Sequence, residues 1–325
     1  MGFCNCNGLT AYNTGSPSAA KLPKVAASVI LLRRTADDGT LNQIAASDLV
    51  DGKLPSGYVE ERINAVDPSR RWFVARAIDD VEDEVGDPIT ESRTGGVDSI
   101  VDKGVRTFAG VFLGKGVPFL AALESLACGD VGVYYIDSCG ALVGQRNASG
   151  TALRPLPIAS NTLFPRLVPA TGETLPKIHV MWNFDKRRQQ DALIDYLPES
   201  ALNLTDGDAL ELDGLLTVNG SASASTTAGV TVALTTDYGS FGNKQPATGW
   251  TAADIVITNL DDGGAVVAID TMTETSFGSG IYEITYDVAQ TATDTLRVSP
   301  AVDGTAPAEF FERTGFELVA FEYEV

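Results

Sequence analysis

A single histidine, His179, stands in a chain of 325 residues, so a Ser-His-Asp triad or a Cys-His pair has one position around which to form. Its surroundings, KIHVMWNFD, alternate apolar and polar residues as a strand does. On the polar side of a strand, a histidine reads as a surface group rather than a base or ligand. No GxSxG, no HExxH, no Walker loop and no GxGxxG leading into a helix occurs. The carboxylates Asp79, Asp80, Glu82, Asp83 and Glu84, and the pair Asp261 and Asp262, supply the hard oxygen ligands that Ca²⁺ takes. Neither group follows EF-hand spacing, and charge runs of this kind are ordinarily solvated. Carboxylate pairs distant in the chain stay open as glycosidase groups, although no residue pattern favours them. Cys4, Cys6, Cys128 and Cys139 are spaced C-x-C and C-x10-C, which matches no zinc pattern. Reduced thiols are expected, with Cys128 buried on a helix and Cys4 and Cys6 in an N-terminal arm. The reading is a non-enzyme with no catalytic residue, no metal and no cofactor.

The elements that would position chemistry centre on Val105–Gln145. Val105 to Leu113 is apolar on both faces apart from Arg106 and Thr107, which predicts a strand inside a sheet. Pro118 suits a first helical turn, and Leu120, Leu123 and Ala127 form a stripe that Phe119 and Leu126 widen, with Gly129 to end the helix. Val131 to Ile136 is a second strand, Asp137 to Gly140 a turn, and Ala141 to Val143 a return strand. The expectation is one sheet carrying one helix across its face. Val25–Arg33, Tyr58–Ile63 and Arg71–Ala77 are further predicted strands, and Lys177–Asp185 is the cleanest period-two strand. Ile178, Val180, Trp182 and Phe184 form its inward face, and Lys177, His179, Asn183 and Asp185 its polar one. Arg187–Leu197 is predicted as an amphipathic helix stopped by Pro198.

Residues 1 to 20 lack periodicity and read as an extended arm. Residues 78 to 104 read as a long polar loop, beyond the roughly 15 residues of an ordinary connection; in a monomer it is a solvated hairpin tip, in an assembly a natural reach to a neighbour. Leu153–Pro176 reads as Pro-rich connection anchored by Phe164 and Leu167. After Ser200 the texture becomes Gly, Ser, Thr and Asp around short apolar runs, about seven strands with turn signals between them. That spacing is expected of an immunoglobulin-like sandwich. The domains are accordingly placed at 1–204 and 205–325.

The 43 acidic and 23 basic residues are unevenly distributed: residues 201–325 hold 19 Asp and Glu against 3 Lys and Arg. Such a balance disfavours tight binding to nucleic acid or an anionic membrane, which need cationic clusters. No basic run precedes an apolar core at the start and no apolar stretch approaches roughly 18 residues, so a soluble product made in the cytoplasm, with no membrane insertion, is expected.

RTFAGVF leading into FLAALESLACGDVGVYYIDSCGALVG, the strand KIHVMWNFD, the arm, the long polar loop and the terminal sandwich together resemble the major tail tube proteins of long-tailed bacteriophages. The resemblance covers the first 200 residues or so by architecture. It implies a mainly β fold, a tail-tube-type β-sandwich or barrel protomer with one or two flanking helices, plus a C-terminal Ig-like β-sandwich. It also implies homo-hexameric rings stacked into a hollow virion tube, assembled in the host cytoplasm, through which DNA passes without tight binding. Tape-measure and other tail proteins would be partners, and the outer Ig-like domain a surface decoration. Phe3, Tyr12, Asp83, Glu84, Asp87 and Arg93 become candidate contacts between subunits or rings, and Lys177, His179, Asn183 and Asp185 candidate lumen-facing residues. Alternatives are a capsid decoration or baseplate protein, an Ig-like bacterial surface adhesin, and an enzyme with a carbohydrate-binding sandwich.

Overall fold

The computed structural model describes residues 25–65, 67–93, 97–205, 208–240, 243–301 and 316–325. The N-terminal arm, with Phe3, Tyr12, Cys4 and Cys6, lies outside the described residues. The chain is mainly β and divides into two compact units, Met1–Leu212 and Asp213–Val325.

The first unit begins with β1 (Ala26–Arg33), β2 (Ile44–Ala45), α1 (Tyr58–Ile63), β3 (Phe73–Arg76), β4 (Ile78–Val85), β5 (Ile89–Arg93) and β6 (Val97–Asp102). It continues with β7 (Arg106–Leu113), α2 (Val117–Leu126), β8 (Val131–Asp137), β9 (Leu142–Arg146), β10 (Ala152–Arg154) and β11 (Leu156–Pro157). The last elements are β12 (Phe164–Val168), β13 (Lys177–Asn183), β14 (Ile194–Leu197) and α3 (Glu199–Leu202). The larger sheet has the order β2-β10-β9-β8-β1-β3, with β11 against β8 and β14 against β9; the smaller runs β12-β13-β7-β4.

The Val105–Gln145 stretch therefore does not form one sheet. Strand β7 lies inside the smaller sheet and β8 inside the larger, and α2 is the link between them. The inner faces meet in one core, with Val29, Leu31, Val133, Tyr135 and Val143 on one side and Phe108, Phe112, Ile178, Val180 and Trp182 on the other. Phe108 stacks on Trp182 with centroids 4.2 Å apart, and Phe119 of α2 meets Phe112 edge-on at 5.1 Å. Strands β1 and β8 are buried on both faces. Ile30, Leu32, Tyr134 and Ile136 point away from that core and are buried too, with Trp72 against Tyr134 at 5.4 Å and Tyr58 of α1 against Trp72 at 6.5 Å. Double burial is why these strands read as unbroken apolar runs.

Four further expectations are corrected. Tyr58–Ile63 is a helix, because Tyr58, Val59 and Ile63 bury one helical stripe and Glu60 and Glu61 occupy its first turn. Residues 78 to 104 are not an irregular loop but strand β4 followed by the β5–β6 hairpin. Only Ile78 is buried in β4, so an edge strand with polar residues on both faces shows no period to read. Arg187–Leu197 is a turn and a 3₁₀ step ending in edge strand β14, held by the Gln145 side chain, which donates to Arg188 O at 3.0 Å and accepts from Gln190 N at 3.0 Å. Cys128 follows the last turn of α2 and is exposed rather than buried.

Chain and sheet change together at Ala77, whose φ of 59° lies in the left-handed region. It turns the path from β3, at the edge of one sheet, into β4, at the edge of the other.

The second unit comprises β15 (Leu216–Thr226), β16 (Gly229–Ser240), β17 (Asn243–Pro246), β18 (Ile255–Asn259) and β19 (Ala265–Val267). Then come β20 (Ile269–Glu274), β21 (Ile281–Tyr286), β22 (Thr295–Pro300), β23 (Phe316–Val319) and β24 (Phe321–Glu324). One sheet has the order β20-β21-β16-β15-β23, with β17 on β16; the other is β19-β18-β22-β24. Val218, Val232, Ile284, Ile257, Val298 and Tyr323 share its core with Trp250, and Tyr286 and Tyr323 join their hydroxyls at 2.5 Å. Burial pushes the Tyr282 hydroxyl up to about 12; it donates to Ala247 O at 3.0 Å.

Candidate interaction surfaces

Within the first unit, the larger sheet is covered on both faces. Among the described residues, no layer covers the outer face of the smaller sheet, and its side chains can be laid out from the register. Four rows cross it from β12 to β4, formed by Phe164, Met181, Ala109 and Glu82; by Arg166, His179, Val111 and Asp79; by Val168, Lys177 and Leu113; and by Asn183, Thr107 and Glu84. Three apolar members stand in solvent, Phe164 at 55%, Leu113 at 44% and Met181 at 40% exposure. Charge is segregated across the same face: Arg166 and Lys177 lie toward β12, and Asp79, Glu82 and Glu84 along β4.

The predicted row Lys177, His179 and Asn183 is brought together here. Asp185 departs from it, beyond the end of β13, where its carboxylate accepts from Arg187 N at 3.0 Å and lies 3.5 Å from Arg188 Nε. His179 is half-buried, and Nδ1 has no hydrogen-bond partner. Burial, followed by repulsion from Arg166 and Lys177, holds the imidazole below its ordinary value, and Glu82 opposes that only in part.

Both edges of this sheet pair on one side only among the described residues. Phe164 and Leu167, expected as anchors of a Pro-rich connection, instead lie on the edge strand β12, where both are exposed. Pro165 within it is tolerated because an edge strand has an unpaired side. On β4, Asp83 is committed to an internal fork, receiving Arg106 Nε at 2.7 Å and Nη2 at 2.6 Å, while the same guanidinium lies 4.7 Å over the Phe184 ring. Glu84 and Asp87 are exposed, and the Arg93 side chain lies outside the described residues.

The β5–β6 hairpin is the second surface. Among the described residues it pairs with no other strand, and its base is closed where Gly86 N donates to Val105 O at 2.9 Å. Lys186 and Asp102 form an ion pair beside it. Ile89, Ile100 and Val101 are 61%, 68% and 61% exposed. A two-stranded hairpin is marginal by itself in water, and apolar side chains on it need a surface to bury them.

Sequence reasoning missed Phe164, Met181 and the hairpin apolars as surface residues. One signal was present: Met181 is an apolar residue on the polar side of KIHVMWNFD. Among the described residues, no group of three or more His, Cys, Asp or Glu is placed to hold a metal ion, and no helix is long and apolar enough to cross a membrane. Asp261 and Asp262 sit in a turn: Asn259 Oδ1 accepts from Asp261 N and Asp262 N, and Asp261 Oδ2 accepts from Thr295 N at 2.6 Å. Comparison with protein-family models, curated proteins and solved structures found no match.

Proposed function

We propose that the chain is a self-assembling structural subunit of a virion, a phage tail tube protein whose copies close into hexameric rings that stack into a hollow tube. The observation that carries this reading is the four-stranded sheet β12-β13-β7-β4, whose outer face exposes Phe164, Leu113 and Met181 and whose two edges are unpaired among the described residues. Sheet edges are a liability that closure removes. Pairing β12 of one copy with β4 of the next would set Arg166 beside Asp79 and Glu82, a heterologous contact of the kind that generates rings.

In that arrangement the outer face becomes the lumen wall, with Lys177, His179 and Asn183 among its polar groups, while DNA passes a chain of formal net charge −20 without adhering. Glu84, Asp87 and the hairpin would contact neighbouring subunits or rings, together with the arm. The second unit is read as an outer Ig-like decoration. Supporting that, its strands β15, β16, β21 and β20 fall in one sheet in A-B-E-D order and β19, β18, β22 and β24 in the other in C′-C-F-G order.

Sedimentation velocity of the full chain over a wide concentration range tests the proposal. A species six times the 34.2 kDa chain and larger stacks are expected; a monomer at every concentration would sink it.

A further inference from the structure

A cleft of about 280 Å³ at one end of the larger sheet is lined by Arg34, Arg146, Arg154 and Arg188, with Gln145 and Gln190 between them. Four of the chain's 23 basic residues thus converge on one depression in an acidic protein, and no carboxylate lines it. The neighbouring acids only partly answer them. Asp130 is shared, at 3.1 Å from Arg34 Nη1 and 3.5 Å from Arg188 Nη1, and Asp185 lies 3.5 Å from Arg188 Nε. Asp195 stays 3.9 Å from Arg146, and Arg154 spends its Nε on the Gln43 amide at 2.9 Å, with no carboxylate partner among the described residues. The walls are well held. Asn147 Oδ1 accepts from Thr151 N and Ala152 N across the β9–β10 turn, and Asn42, buried, donates to Arg33 O and Ser69 O. Leu41, Pro155 and Leu193 add apolar lining to the cationic groups.

The β5–β6 hairpin has complementary chemistry. The Asp87–Lys103 segment has the carboxylates Asp87, Glu91, Asp98 and Asp102 against Arg93 and Lys103, and its exposed Ile89, Ile100 and Val101 lack a surface. We propose that the arginine cleft is the receptor for the β5–β6 hairpin of a second copy of this chain. Asp87 and Glu91 meet the guanidinium groups there, and Ile89, on the same face of β5 as Glu91, covers Leu41, Pro155 and Leu193. This rests on the reading of the chain as a self-assembling subunit, and it names the contact through which copies join outside the sheet edges. Arginine suits the task because its planar fork takes carboxylates in a fixed geometry. Donor and receptor are different patches, so the contact is heterologous and propagates.

The test uses the full chain in sedimentation velocity at about 50 mM and about 500 mM salt, a range over which exposed charge contacts are progressively screened. A cleft variant, Arg146→Glu with Arg154→Glu, and a hairpin variant, Asp87→Arg with Glu91→Arg, are each expected to associate at least about tenfold more weakly than the parent. Mixed together they should regain association, because each then meets its opposite charge. A milder cleft variant, Arg146→Gln with Arg154→Gln, guards against misfolding, and circular dichroism checks every protein. Parent-like association of folded cleft variants overturns the proposal, and so does a mixture of folded partners that stays apart. If rings and tubes form regardless of the cleft variants, the hairpin contact fails and the tail tube reading stands. If the swapped pair restores salt-sensitive association that never yields rings or tubes, the contact stands and that reading fails.

Discussion

Trp182→Ala measures how far the first unit depends on the meeting of its two sheets. Trp182 is 1% exposed, stacks on Phe108 at 4.2 Å and 14°, and meets Phe184 edge-on at 6.4 Å. A tryptophan buries on the order of 200 Å², which at about 25 cal/mol/Å² corresponds to roughly 5 kcal/mol, less the share an alanine retains. Measured truncations of large aromatic residues cost about 3–5 kcal/mol, so the two routes agree. Trp182→Phe, which keeps a ring against Phe108, should cost less than half as much. The assay is denaturant unfolding of the full chain, followed by circular dichroism and by fluorescence. Trp72 and Trp182 report the first unit and Trp250 the second, and these are the chain's three tryptophans. The first transition should fall by about 3–5 kcal/mol while the Trp250 transition holds its midpoint, the two being fitted separately. A loss below about 1 kcal/mol would refute the single shared core of the first unit, and an equal shift of the second transition would show the two units unfolding together.

Ala77→Gly should stabilise the chain by about 0.5–1 kcal/mol, because alanine at φ 59° carries left-handed strain that glycine lacks; a lower unfolding midpoint would remove the strain account. As the one histidine, His179 gives a single imidazole signal in a proton NMR titration, and its folded value should fall below the unfolded 6.5. The sign follows from linkage: the unfolded chain binds the proton more readily, so this contribution is intact above the unfolded value and is lost as pH falls through it toward the folded one. A titration at or above 6.5 contradicts the burial and the repulsion from Arg166 and Lys177. Residues 1–212 alone should still form tubes if the second unit is decoration; a folded fragment that no longer assembles would make that unit part of the lattice.

Legibility in the sequence followed burial. Strand β13 was plain because one face is core and the other is not, and β7 and β8 because interior strands are apolar on both sides. What the pattern hid was their partition into two sheets, since nothing in an apolar run names the sheet that buries it. The edge strands β4, β12 and β14 were missed for a shared reason. In IDDVEDEV only Ile78 is buried and polar residues stand on both faces, in FPRLV a proline imitates a connection, and the spacing of Leu193, Tyr196 and Leu197 fits a helix as well as the strand they enter. Tyr58–Ile63 erred in the opposite direction, a stripe too short for its period to be told from a strand's. Of the candidate surfaces, Lys177, His179 and Asn183 were legible by alternation, whereas Asp185 was lost when the strand ended before it. The arginine cleft left no local trace, because Arg34, Arg146, Arg154 and Arg188 are gathered only by the larger sheet and the turn before β14.

Closure of a shared barrel by copies of this chain would be seen by electron microscopy of the purified full chain at high concentration, averaging end-on views. Six-fold rings with an open lumen, stacked into tubes in side views, are expected. Monodisperse single particles, or assemblies without a lumen, would contradict it.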